Sequence, residues 1–153
     1  MADKITLEFP DGSKKKYDSG VNGIDIAKEI SNSLARNAFA VKLNEEYFDL
    51  TEPIKNNAKI KFITWDDEAG KEIFRHTAAH VFAHALVRVF PEAKIAIGPP
   101  IENGFHYDFE LKQSMTPEDL KKIEKEMEKI TSEKHTITKK EIPKKEALKL
   151  RNR

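Results

Sequence analysis

The chain has 153 residues, a net charge of +1 and an apolar fraction of 39%, with 35% charged residues. It has no cysteine, which excludes disulfides, a thiol nucleophile and thiolate metal ligands. No apolar run approaches the ~20 residues needed to span a bilayer, and the start, Met1-Ala2-Asp3-Lys4, has no apolar stretch of the signal-peptide kind.

Apolar residues recur with period through most of the chain, so a folded α+β protein is expected. Residues 1–111 carry 14 basic and 18 acidic side chains, whereas residues 112–153 carry 13 basic and 8 acidic. The basic part can meet a phosphate backbone. Its charges also interleave by sign, as on a solvated helix.

Residues 1–64 read as one unit. Ile5, Leu7 and Phe9 alternate as one face of a strand. Pro10-Asp11-Gly12 makes a turn, and Ser13 to Tyr17 returns, so the unit opens with a hairpin. Ile24, Ile26, Ala27, Ile30 and Leu34 follow at helical period. Short strands are expected at Ala40 to Leu43, Tyr47 to Leu50 and Lys59 to Thr64. The order β-β-α-β-β predicts a ubiquitin-like β-grasp. The one plausible boundary lies near residues 64–70, giving domains at 1–64 and 65–153.

Past the boundary, a long helix is expected from Glu68 to Phe90, ended by Pro91. A short strand at Lys94 to Ile97 breaks at Gly98-Pro99-Pro100. Gly104 to Glu110 alternates again, with Phe105, Tyr107 and Phe109 on one face. Thr116, Pro117 and Asp119 carry the signature of a helix start with a capping box. The buried stripe expected behind it is Leu120, Ile123, Met127 and Ile130. Thr136 to Ile142 reads as a strand, and Pro143 starts a last helix. That helix reaches Arg153 without a capping residue, as in a chain interrupted within a domain.

The chemistry concentrates in His76-Thr77-Ala78-Ala79-His80, with His84 one turn further. Spacing of four on a helix sets the three imidazoles near one face. Adjacent imidazoles can share a water, share a metal ion, or simply sit as satisfied histidines on a half-buried helix. The zinc-protease pattern fails, because Thr77 stands where glutamate is needed. Two ligands alone are too few for zinc.

The wider stretch is more specific. Gly70 to Phe74 leads into Arg75-His76-Thr77-Ala78-Ala79-His80, followed by Val89-Phe90-Pro91. Ile97-Gly98-Pro99 and then Gly104-Phe105-His106-Tyr107-Asp108 complete the pattern. Together these are similar to the opening of threonyl-tRNA synthetase editing domains, and the unit before them resembles the TGS domain that precedes editing in that family. The sequence departs from the family at His106, where the first of two tyrosines is usual. It also lacks the family's downstream Cys-x-x-x-His element, so the editing domain is expected to be incomplete and the chain alone inactive.

The resemblance implies an α+β architecture in which a β-grasp (TGS) domain precedes a partial editing domain built on a long histidine-bearing helix. It implies proofreading by hydrolysis of seryl-tRNA(Thr). His76 would activate water or relay a proton, and His80 would orient it and contact the terminal adenosine region. Tyr107 would line the pocket and the Gly98 backbone would lie against the seryl group. No metal is expected in this stretch. The parent ligase would use ATP, magnesium and a zinc ion in a catalytic core outside it. The expected partner is tRNA(Thr), the expected quaternary state of the parent a homodimer through other domains, and the expected location the cytoplasm. The alternatives are a non-catalytic TGS-containing RNA-binding or regulatory module, which lacks a counterpart of residues 70–110, and a free-standing editing protein, against which the missing cysteine element argues.

Overall fold

The computed structural model describes residues 3–136 and 140–151. In chain order the elements are β1 (Lys4–Glu8), β2 (Lys14–Asp18), β3 (Val21–Asn22), α1 (Gly23–Ile30), α2 (Asn32–Asn37), β4 (Ala40–Leu43), β5 (Glu46–Phe48), β6 (Pro53–Ile54) and β7 (Ala58–Ile63). They continue with α3 (Glu68–Val89), β8 (Lys94–Ile95), β9 (Pro100–Ile101), β10 (Gly104–Phe105), β11 (Phe109–Glu110), α4 (Pro117–Ser132) and α5 (Lys144–Arg151).

The first half is the expected β-grasp. Its sheet has the order β2-β1-β7-β4-β5. β1 pairs antiparallel with β2 but parallel with β7, through Leu7 opposite Ala58. The hairpin turn closes because Gly12 takes φ 82°, while the Asp11 carboxylate accepts from the Ser13 amide at 2.9 Å and hydroxyl at 2.6 Å. These bonds from Ser13 hold the Asp11 carboxyl below its usual pKa. Leu7, Ile26, Val41, Ile54 and Ile60 meet in the core, and α1 lays Ile26 and Ala27 onto it fully buried.

The helix expected across Ile24 to Leu34 is two helices. Ser31 adopts extended backbone, φ −167° and ψ 149°. Its amide donates to the Ala27 carbonyl and ends α1, and its hydroxyl accepts from the Leu34 amide at 3.0 Å and starts α2. A serine that competes locally for backbone partners interrupts the run without glycine or proline.

α3 is joined tightly to β7. A Cβ built on Gly70 would lie 1.8 Å from the Thr64 carbonyl oxygen, so the helix approaches the strand end as only glycine permits. Asp67 ties the corner: its carboxylate accepts from Lys61 at 2.5 Å and from the Thr64 amide at 3.0 Å. The Lys61 bond, more than any other influence, holds the Asp67 pKa down. Trp65 and Phe74 stack edge to face at 5.2 Å over the same corner.

The second half packs α4 on α3. Ala85, Leu86, Phe90, Ile123 and Ile130 form its core. The capping box at Thr116 is present: the Thr116 hydroxyl accepts from the Asp119 amide, and the Asp119 carboxylate accepts from the Thr116 amide. Asp119 is buried, and bonds from Lys122 and then Thr116 keep its carboxyl low. Leu120, expected in the buried stripe, is instead 53% exposed. Ile123 and Ile130 fill the space facing α3, and Leu120 turns past its edge. The strand expected at 136–142 falls partly on residues 137–139, outside the described residues; its described ends lie in no regular element.

Candidate functional site

α3 forms because alanines dominate its middle and Pro91 stops it. Ala79, Ala83 and Ala85 are buried, so small side chains face the packed sides and the histidines are left on the open one. His76 and His80 are both exposed. Their Nε2 atoms approach to 2.9 Å, with ring centroids 4.7 Å apart. A contact of that length needs one proton between the two nitrogens: one ring donates Nε2–H and the other accepts. Protonating both would set two N–H groups head to head. The pair can therefore hold a single proton on a water-accessible surface and pass it between rings.

His84 does not join the pair. Its Nε2 accepts from the Arg88 Nε at 3.1 Å, which leaves the ring proton on Nδ1. Arg88 also donates to Glu126 at 3.0 Å and, as a two-pronged fork, to both oxygens of Glu133 at 2.9 Å. Glu133 contacts His135 at 2.5 Å. Arg88, and next His135, lowers the Glu133 carboxyl to about 2, and the two carboxylates raise the guanidinium. This network bolts the second half of α4 to the C-terminal end of α3. It spans 38 and 45 positions of sequence, and no local pattern announces it.

Gly98 and Tyr107 do come together. A Cβ on Gly98 would lie 2.1 Å from Tyr107 Cδ2, so the tyrosine ring occupies the space a side chain would use. A β-bulge arranges this. Phe109 faces Ile95 while Phe105 faces Pro100, leaving one extra residue on the earlier strand. At the bulge, Asp108 accepts from the Ala96 amide and donates to the Ile97 carbonyl, both at 2.9 Å. Phe105, Tyr107 and Phe109 share one face as expected, and all three rings pack on Phe82, at 5.8, 5.5 and 6.0 Å. His106 points out to solvent.

The four expected site residues thus form two pairs. Phe82 follows His80 by two residues, about 200° around the helix, so Tyr107 and Gly98 sit on a different face of α3 from the histidines. Among the described residues no group of three or more histidine, aspartate or glutamate side chains is placed to hold a metal ion. The histidine pair alone offers two nitrogens where zinc takes three or four protein ligands. No helix of the described residues is long and apolar enough to cross a membrane.

Comparison with known proteins shows what the sequence is similar to. Residues 4–64 match the TGS domain. The chain is 46% identical over 146 residues to the threonine–tRNA ligase of Clostridioides difficile, covering 95% of this chain and 23% of that protein. It is 44% identical over 147 residues to threonine–tRNA ligase 1 of Bacillus subtilis, covering 96% of this chain and 23% of that protein. The chain therefore spans under a quarter of the length of these curated relatives and is similar to the N-terminal region of bacterial threonine–tRNA ligases.

Proposed function

We propose that this chain supplies the TGS domain and, from residue 65, the first part of the editing domain of a threonine–tRNA ligase. The parent enzyme joins threonine to tRNA(Thr) with ATP and magnesium, and with a zinc ion in a core outside these residues. It acts in the cytoplasm as a homodimer through other domains. Serine lacks one methyl group of threonine, and such a difference supplies only about 1–3 kcal/mol of discrimination at a binding site. A second, hydrolytic pocket removes the error.

The observation that carries this reading is the 2.9 Å contact between His76 and His80 on the exposed face of α3. Whichever ring donates its Nε2–H keeps an unprotonated Nδ1, which can take a proton from water as it attacks the seryl ester carbonyl. The ester bond to the ribose oxygen then breaks, that oxygen takes the proton back, and free serine leaves. His80 fixes which nitrogen of His76 is open to water. Tyr107, with Gly98 behind it, lines the acyl side once the remainder of the domain brings the two faces together. The two pairs lie apart in this chain, so the 153 residues alone bind RNA without turnover.

The test is His76→Ala in the complete enzyme. Deacylation of seryl-tRNA(Thr) should slow about 10²- to 10⁴-fold, with threonine activation unchanged. Unaltered deacylation would sink the assignment, as would rapid turnover by the isolated chain.

A further inference from the structure

Two exposed aromatic rings lie together where the halves of the molecule join. Trp65 is 47% exposed and Phe74 48%, yet they meet edge to face at 5.2 Å, and Phe39 closes the group at 5.7 Å from Phe74. Phe39 and Trp65 are fixed to the first half. The Phe39 amide donates to the Ile63 carbonyl at 2.8 Å, and Trp65 follows β7 directly. Phe74 belongs to α3. The cluster therefore ties the helix to the β-grasp.

What it ties is a weak stretch of helix. From Lys71 to Ala78 no residue is buried, and the α3 side chains of the second core begin at Val81. The stretch also starts poorly. Asp67 stands at the N-cap but makes no capping bond, because its carboxylate is taken by Lys61 and the Thr64 amide. Gly70, in the first turn, disfavours helix. Further on, the Thr77 hydroxyl bonds back to the Ile73 carbonyl at 2.9 Å, a bond that slightly loosens helices. Left to local sequence, turns of this kind fray. The contact of Gly70 with Thr64 holds the start, and the aromatic cluster holds the middle.

The histidine pair straddles the border of this stretch. His76 rides on it, just beyond Phe74, whereas His80 directly follows the buried Ala79. Their 2.9 Å contact needs both parts of α3 to stay in one helical register. A frayed turn at Phe74 would carry His76 away and leave His80 in place.

We infer that the Phe39–Phe74–Trp65 cluster is a positioning clasp, through which the β-grasp holds His76 against His80. Phe74 acts through His76 as a positioning residue. The consequence for hydrolysis rests on the editing reading above; the consequence for the histidine contact does not.

The 153-residue chain is compared with its Phe74→Ala and Phe74→Tyr variants by the ring-nitrogen resonances of the histidines and by amide hydrogen exchange. Phe74→Ala should draw the His76 and His80 signals toward those of separate, solvated imidazoles. It should also speed exchange across residues 71–78 about tenfold. His84 and His135 should keep their signals, since the Arg88 network lies beyond the border. Phe74→Tyr keeps the ring and should restore both readouts. In the complete enzyme, Phe74→Ala should lower kcat for deacylation of seryl-tRNA(Thr) about tenfold with KM unchanged, and Phe74→Tyr should recover it. Unmoved His76 and His80 signals in Phe74→Ala overturn the inference, as does equal movement of His84 and His135, the mark of general loosening. If His76→Ala slows deacylation and Phe74→Ala does not, the clasp falls and the editing reading stands. If His76→Ala leaves deacylation unaltered while Phe74→Ala separates the ring signals, the editing reading falls and the clasp stands.

Discussion

The two halves of the molecule solve the burial problem differently. The β-grasp encloses its apolar residues: Leu7, Ile26 and Val41 are fully buried, and the sheet is five strands wide. The part that follows buries one side of a helix pair and leaves Ile95, Ile97 and Ile101 at 44%, 65% and 45% exposed on strands two residues long or beside them. Where the first half is held by a continuous core, the second leans on the Arg88 fork to fasten α4. The difference shows that the histidine-bearing half is the one whose shape depends on a few polar contacts.

Leu7→Ala tests the sharpest form of this contrast. It should cost about 2–5 kcal/mol, with hydrogen exchange accelerating in β4 and β7 while α4 and the part of α3 beyond Ala79 keep their protection. Equal acceleration in both halves would mean that they unfold as one unit. Gly70→Ala comes next, at about 1–3 kcal/mol, because the new methyl group meets the Thr64 carbonyl. Denaturation followed by the fluorescence of Trp65, the chain's one tryptophan, reads the joint directly.

The smallest effect concerns acid. The folded pKa of Glu133, about 2, lies below its ordinary 4.5. Its contribution to stability is therefore complete above about 4.5 and is lost as pH falls through about 2. Arg88→Ala should flatten that loss in thermal melts of the helix pair across this window. The β-grasp should not respond to the same change.

Much of the fold was legible in the chain. The alternation of Ile5, Leu7 and Phe9 marked a buried strand face, and Thr116 with Asp119 marked the start of α4, because both signals are local. So was the meeting of His76 with His80, which needs only four residues of helix. The break at Ser31 was not legible, since its serine reads equally well inside a helix or as a cap. Nor was the exposure of Leu120, which depends on where α3 lies. The Arg88 network joins positions far apart in sequence, and the bulge at Ala96-Ile97 follows from pairing across the hairpin. Each of these needs a partner that periodicity does not name.

The parallel pairing of β1 with β7 has a kinetic consequence. The Thr6 amide waits for the Asn57 side chain, 51 positions later, and β1 lies inside the sheet rather than at its edge. During synthesis at about 5–20 residues per second, the first strand spends on the order of seconds with one side unpaired. Loop closure over that distance sets the pace of folding. Once β7 has emerged, the β-grasp can complete without waiting for α3, so the first half of the chain can mature before the histidine-bearing helix is free to pack.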